Sequence, residues 1–386
     1  MDIAVEGTCD RNFGEVKEAF VDNFEMTNEI GAAVAIYVDG KLVVDLWGGH
    51  SDKARTKPWT RDTLVNVYST TKGLAAMCAH RLVDQGKLDL EAPVAKYWPE
   101  FAQAGKDKLP VKYLLSHRAG LPAIRKTLPP EALYDWKTMT DALAAQEPWW
   151  TPGTKHGYHA ITYGWLVGEV VRRASGKTLG TYFRDEIVSP LGLDAHIGLD
   201  AKEDSRVSNI IPSAPPKAGE VNQLAAIMSD PESITFKAIM NPGAVLAPEV
   251  VNGRAWRGME LPSANGHATA RSLAKAYGAL ARGGEIDGYR VLTPASIERC
   301  YTEQSFGMDE VLKQSTRVGL GFMLSQPGVE MGPNPHTFGH PGAGGSIGFA
   351  DPTAKVGFGY VMNQMGVDPL LDPRAARLFT ALYKSL

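Results

Sequence analysis

Residues 32–47 read Ala32-Ala33-Val34-Ala35-Ile36-Tyr37-Val38-Asp39-Gly40-Lys41-Leu42-Val43-Val44-Asp45-Leu46-Trp47. Two runs rich in β-branched and aromatic residues flank an Asp-Gly pair, which suits the positive φ of a two-residue turn, so the stretch predicts a β-hairpin. Upstream, Phe13, Val16, Phe20 and Phe24 recur at helical spacing and predict an amphipathic helix over 12–26. Downstream, Leu74, Met77, Cys78 and Leu82 do the same over 70–86, with Gly86 as the stop. Three more helices are expected over 160–174, 269–282 and 372–385, the first two closed by Ser175-Gly176 and Gly283-Gly284. From about 90 to 200 the pattern is mostly helical, and 201–265, with Pro212, Pro215 and Pro216, reads largely as loop. β character returns over 317–325, 347–351 and 356–363. Strands at both ends with helices between predict an α/β (α+β) fold, with one antiparallel sheet flanked by helices. The expected division is a discontinuous domain (1–75 and 265–386) around a mostly helical inserted domain (76–264).

Composition narrows the function classes. The chain has 386 residues, enough for a large core without covalent staples. Forty Lys and Arg against 43 Asp and Glu leave a net charge of −3, so no field draws it to nucleic acid or an anionic membrane. No uncharged apolar run reaches the roughly 18 residues of a membrane span. Three cysteines (Cys9, Cys78, Cys300) suit neither a disulfide framework nor a cysteine zinc site. Met1-Asp2-Ile3-Ala4-Val5-Glu6 lacks the basic and apolar regions of a secretion signal, so the expected location is cytoplasmic. Forty Gly and 25 Pro point to many shaped turns.

Three of those turns carry reactive residues. The first is Tyr68-Ser69-Thr70-Thr71-Lys72-Gly73, at the head of the 70–86 helix. Ser69 and Lys72, three apart, share one helix face with Cβ atoms about 5–6 Å apart. A serine hydroxyl needs a nearby base, and an amine kept neutral by burial can serve. The helix start also offers free N–H groups to a developing oxyanion. The second is Pro152-Gly153-Thr154-Lys155-His156-Gly157-Tyr158-His159-Ala160, where a turn presents a tyrosine suited to proton relay. The third is Phe338-Gly339-His340-Pro341-Gly342-Ala343-Gly344-Gly345-Ser346, a glycine-dense turn that lets backbone approach a ligand closely.

Together these segments resemble the serine β-lactamase and penicillin-binding-protein superfamily, most closely the class C β-lactamase-like family VIII carboxylesterases. Leu114-Leu115-Ser116-His117-Arg118-Ala119-Gly120-Leu121 and Gly348-Phe349-Ala350-Asp351-Pro352 extend the likeness across residues 30 to 365. The resemblance implies Ser69 as the acylated nucleophile, Lys72 as its proton acceptor or electrostatic partner, and Tyr158 as the group that protonates the leaving alkoxide. It implies an oxyanion hole from the backbone N–H groups of Ser69 and Ala343. Whether Lys72 or Tyr158 is the base stays open. Substrate-pocket candidates are His340, Gly342, Gly344, His159 and Trp150. No metal or organic cofactor is expected, and the partner is a small-molecule ester.

Departures from the family pattern bear on substrate. In β-lactamases the third motif is typically Lys-Thr-Gly, whose lysine meets the antibiotic's carboxylate; here it is His340-Pro341-Gly342. The second is commonly Tyr-x-Asn; here Tyr158-His159-Ala160 supplies a methyl. Both changes remove anchors for a β-lactam, so the expected reaction is hydrolysis of neutral esters, with short acyl chains expected from the family. Alternatives within the fold are a β-lactamase, a D-amino-acid peptidase or amidase, an acyltransferase, and a sensor that acylates without turnover.

Some residues look reactive but have plainer readings. Gly344-Gly345-Ser346-Ile347-Gly348 matches G-x-S-x-G, yet that elbow needs a helix after its serine and a strand-like run follows here. His156 and His159 are three apart but lack a third metal ligand at useful spacing. Trp149, Trp150 and Trp256 read as pocket walls or as core, and His117 as a structural hydrogen-bonder.

Overall fold

The computed structural model describes residues 4–27, 29–213, 228–243, 245–368 and 370–386. The hairpin forms as Gly31–Val38 and Lys41–Gly49, reversing at Asp39 and Gly40, both with positive φ. It sits inside a nine-stranded antiparallel sheet. The order is Val5–Cys9, Lys41–Gly49, Gly31–Val38, Val356–Met362, Ile347–Asp351, Phe338–Pro341, Met323–Leu324, Ser315–Val318, Ser305–Met308. Val356–Met362 pairs with Gly31–Val38 from Val356 opposite Val38 to Met362 opposite Ala32. The two ends of the chain therefore meet within one sheet.

Apolar side chains on both faces of that sheet explain its two cores. On one face Gly14–Met26 and Pro373–Ser385 pack Phe20, Phe24, Leu378 and Phe379 against Val34, Ile36, Phe358 and Tyr360. On the other, Thr70–Asp84 and Ala270–Ala281 bring Leu74, Leu273 and Tyr277 to Ala35, Phe338 and Val361. A smaller four-stranded sheet orders Ala195–His196, His267–Ala268, Leu64–Asn66 and Val207–Ser208. Leu64–Asn66 leads straight to Ser69 at the head of Thr70–Asp84.

The helices expected at 12–26, 70–86, 160–174, 269–282 and 372–385 are present with ends shifted by one or two residues. Asp372 caps its helix by accepting from Arg374 N–H, and Gly176 closes Thr162–Ser175 in the left-handed region. The single strand expected over 317–325 is instead two, Ser315–Val318 and Met323–Leu324, reversed through Gly321 at φ 89°. Val5–Cys9, Ser305–Met308 and Phe338–Pro341 are strands that no sequence run announced.

Residues 90–200 are less helical than expected before Trp136–Ala145, consisting mainly of single turns such as Lys112–Leu115. Within 201–265 the described residues form Ala201–Arg206, Ile234–Met240, Pro248–Val251 and Arg254–Gly258, each too short to show a helical period. Pro215 and Pro216 lie outside the described residues, and the carbonyl of Pro212 accepts from Gln364 Nε2 at 2.7 Å. We retain as a proposal the division into 1–75 with 265–386 and an inserted 76–264; the composition of the large sheet supports it. Among the described residues no helix is long and apolar enough to cross a membrane.

Candidate active site

Ser69 occupies the N-cap position of Thr70–Asp84 and is half-buried. The residue before it, Tyr68, has φ 42°, an outlier for a bulky side chain that costs on the order of 1–3 kcal/mol. The surroundings over-determine it. Val67 N–H donates to Gly266 O at 2.8 Å, Tyr68 bridges to Asn265, and the Thr71 hydroxyl donates to Tyr68 O. The kink ends the strand and turns Ser69 into the opening of the helix.

Lys72 follows one turn on and is fully buried. Its Nζ donates to Ser69 Oγ at 3.0 Å, Ala160 O at 2.7 Å and Ser263 O at 2.9 Å. Burial alone pushes its pKa well below the ordinary lysine value, and no carboxylate among the described residues offsets that. Two of the three contacts are carbonyls that can only accept, so they take two N–H bonds in either protonation state. In the neutral amine the lone pair is left for the third contact, and the Ser69 O–H then donates to it.

Tyr158 presents its ring to this amine, its centroid 4.7 Å from Lys72 Nζ. Burial raises its pKa above the ordinary tyrosine value, an effect that interaction with Ser69 only partly offsets, so it keeps its proton. The main chain here is held by Asp309, whose Oδ1 accepts from the N–H groups of Tyr158 (3.0 Å), Val311 (2.8 Å) and Leu312 (2.9 Å). Sequence reasoning missed Asp309, Ser263 and the role of the Ala160 carbonyl.

The glycine-dense turn comes from the hairpin Phe338–Pro341 and Ile347–Asp351, closed by Gly342 N–H to Ser346 O at 2.7 Å. Ser346 Oγ donates to Val67 O at 2.9 Å and lies 3.3 Å from Thr70 Oγ1, which ties the turn to the Ser69 segment. A β-carbon on Gly342 would stand 2.3 Å from both Ser346 Oγ and Val67 O, so only glycine admits this approach. Among the described residues the amides of Ser69 and Ala343 donate no hydrogen bond, leaving both open to an incoming oxygen.

The remaining candidates separate. His340 is almost fully buried, with its ring centroid 6.0 Å from that of Tyr158. Its Nδ1 lies 2.7 Å from Pro341 O and must donate to it, so Nε2 is an acceptor with no partner among the described residues. Burial, with repulsion from Lys72, lowers its pKa to about 3. His159 offers substrate no free ring nitrogen: Nε2 accepts from Leu121 N–H at 3.1 Å and Nδ1 donates to Gly157 O at 2.7 Å. Trp150 is half-buried, edge-on to His159 at 6.4 Å, with Nε1 donating to Lys155 O. Gly344 turns its carbonyl inward to Arg374.

The residues with plainer readings also fall into place. His117 Nδ1 accepts from His159 N–H at 3.2 Å, and His156 Nε2 lies 2.9 Å from Thr316 Oγ1. Trp256 is core, with Nε1 donating to Asn66 Oδ1 at 3.3 Å. Trp149 packs partly buried against the cluster that holds Tyr158.

Comparison with known proteins gives a consistent set of likenesses. The Beta-lactamase family profile matches residues 16–381. The chain is 40% identical over 372 residues to "Esterase/beta-lactamase LipL" of Mycobacterium tuberculosis (strain ATCC 25618 / H37Rv), covering 95% of this chain and 84% of that one. A crystal structure of a family VIII carboxylesterase superposes with a TM-score of 0.92 at 43% identity, covering 99% of this chain and 100% of the other. A penicillin-binding-protein homologue from Caulobacter crescentus superposes with a TM-score of 0.90 at 44% identity, with the same coverage.

Proposed function

The chain belongs to the beta-lactamase family, and on that premise we propose how it acts as a serine ester hydrolase, by forming an acyl-enzyme on Ser69. The observation that carries this reading is the environment of Lys72: a buried amine with two carbonyl acceptors and one hydroxyl, and no carboxylate beside it among the described residues. Such an amine is held neutral and takes the Ser69 proton as Oγ attacks the ester carbonyl. The amides of Ser69 and Ala343 receive the negative charge that develops on the carbonyl oxygen. Tyr158, kept protonated by burial, donates to the departing alkoxide and regains a proton through Lys72. Water then enters, loses a proton along the same pair and releases the acid, restoring Ser69.

Neutral, short-chain esters are the substrates this site favours. The position that would meet a carboxylate carries His340, which its surroundings keep uncharged, and the Ala160 methyl is partly exposed where an amide anchor would stand. A second reading, turnover of β-lactams, draws on the name of the Mycobacterium tuberculosis relative, "Esterase/beta-lactamase". A panel of p-nitrophenyl esters from acetyl to palmitoyl, with a chromogenic cephalosporin, tests both on wild type and Ser69→Ala. Steady turnover of short esters that disappears in Ser69→Ala is expected. Activity on none of them refutes hydrolysis, and a burst without steady turnover assigns the chain to the acylating sensors.

A further inference from the structure

Against the glycine turn lies a buried ionic cluster that the reaction described above does not use. Arg374, Glu29 and Asp372 are all nearly or fully buried. The guanidinium uses every donor it has. Nε donates to Asp372 Oδ1 at 2.8 Å, and Nη1 to Glu29 Oε1 at 3.0 Å and Gln364 O at 2.9 Å. Nη2 donates to Asp372 Oδ2 at 2.8 Å and to Gly344 O at 2.7 Å. The Tyr360 hydroxyl closes the far side by donating to Glu29 Oε2.

The contact with Gly344 leads to the reacting atoms. The carbonyl of Gly344 also accepts from Gly366 N–H at 2.9 Å, so it is held from two sides. The other end of the same peptide unit, Gly345 N–H, donates to Gly342 O at 3.1 Å. Gly342 O in turn shares its peptide unit with Ala343 N–H. In a planar trans peptide the C=O and N–H dipoles point the same way along the chain of bonds, so each link polarises the next. The line runs from the guanidinium through Gly344 and Gly345, then Gly342, to the Ala343 amide.

We propose that Arg374 is a positioning residue of the ester hydrolysis, fixing and polarising the Ala343 amide through two peptide units. This rests on the oxyanion role proposed above for Ala343. A guanidinium suits the task because it reaches two carboxylates and two carbonyls in one plane, which an ammonium cannot. Its near-complete burial keeps it from touching substrate, so its effect falls on the charged transition state and not on ester binding.

The test uses the full chain with p-nitrophenyl acetate. Arg374→Lys keeps the charge balance but loses the fork. Glu29→Gln/Asp372→Asn/Arg374→Met removes all three charges together, so no buried ion is left alone. In each variant that melts as a folded protein, kcat is expected to fall roughly 10- to 100-fold with KM within about threefold, the range for a weakened oxyanion donor. The carbonyl band of a 13C-labelled acyl-enzyme is expected to move to higher wavenumber, because a weaker donor polarises it less. A folded variant of either kind with wild-type kcat and an unmoved band overturns the proposal, as does a loss confined to KM. Should the triple variant not fold, Arg374→Lys alone decides. Ser69→Ala is measured in parallel: activity surviving there removes the underlying acyl-enzyme reading, whereas its loss beside an unchanged Arg374 variant removes only this inference.

Discussion

Lys72 Nζ stands 4.7 Å from the centre of the Tyr158 ring, and the two groups are shifted in opposite directions from their ordinary proton affinities by the same burial. The amine is pushed toward neutrality and the phenol is kept protonated. On the reaction proposed above, the base is Lys72 and Tyr158 is the donor to the leaving group. Activity needs the unprotonated amine, so kcat/KM rises with pH through the lowered pKa of Lys72. Tyr158→Phe is expected to reduce kcat by roughly 10²- to 10⁴-fold while leaving that rising limb where it is. Lys72→Met is expected to abolish both. A limb that vanishes in Tyr158→Phe but survives in Lys72→Met would assign the base to the tyrosine.

Ser346 sits in a sequence that imitates a nucleophile, yet its hydroxyl donates to the Val67 carbonyl in the segment that carries Ser69. Ser346→Ala removes one of two donors to that buried carbonyl, which keeps Thr70 N–H at 3.1 Å, and costs about 0.5–1.5 kcal/mol of stability. Acylation should persist. Mass spectrometry after treatment with a fluorophosphonate is expected to place the adduct on the Ser69 peptide in wild type and in Ser346→Ala alike, and nowhere in Ser69→Ala. An adduct on Ser346 in the treated wild type would reverse the assignment.

Much of this site could be read before the fold was known because its central pair is local. Ser69 and Lys72 are brought together by a single helical turn, and the hairpin that anchors the sheet carries its own Asp-Gly turn. The acceptors that tune Lys72 are different. Ala160 O and Ser263 O come from 88 and 191 residues away, and a backbone carbonyl leaves no mark on side-chain identity. Asp309 and the Arg374 cluster were hidden for the same reason, since an isolated charged residue in sequence more often lies at the surface. The break at Gly321 was missed because apolar residues on both sides read as one continuous strand.

The partly exposed Ala160 methyl and the uncharged His340 together leave a β-lactam without its amide and carboxylate anchors. Ala160→Asn with His340→Lys is expected to raise kcat/KM for a chromogenic cephalosporin at least tenfold, the scale of one added charge-assisted contact. The new lysine would stand near Lys72, so its charge further favours the neutral form of the base. Turnover of p-nitrophenyl acetate measured alongside separates a gain in recognition from a general change in rate. No gain for the cephalosporin in a folded double variant would count against reading these two positions as the determinants.

Glu29 gives the ionic cluster against the turn a signature in stability. Burial raises its pKa from 4.5 to about 7, with Asp372 adding to the rise and Arg374 and Tyr360 only partly opposing it. Between those pH values the folded chain binds more protons than the unfolded one. Stability from this group is therefore full below about pH 4.5 and is lost as pH climbs through 7. A shift of this size corresponds to a few kcal/mol at most, on the order of 3. Carboxylates held low, such as Asp194 beside His196 and Arg206, act in the opposite sense and only at more acidic pH. Glu29→Gln cannot titrate, so the free-energy difference between wild type and this variant isolates the effect. Urea unfolding at pH 5, 6, 7 and 8 is expected to show wild type losing ground to Glu29→Gln up to about pH 7.5 and then levelling. A difference that stays constant over that range would mean Glu29 remains ionised throughout, with Arg374 outweighing the loss of solvation.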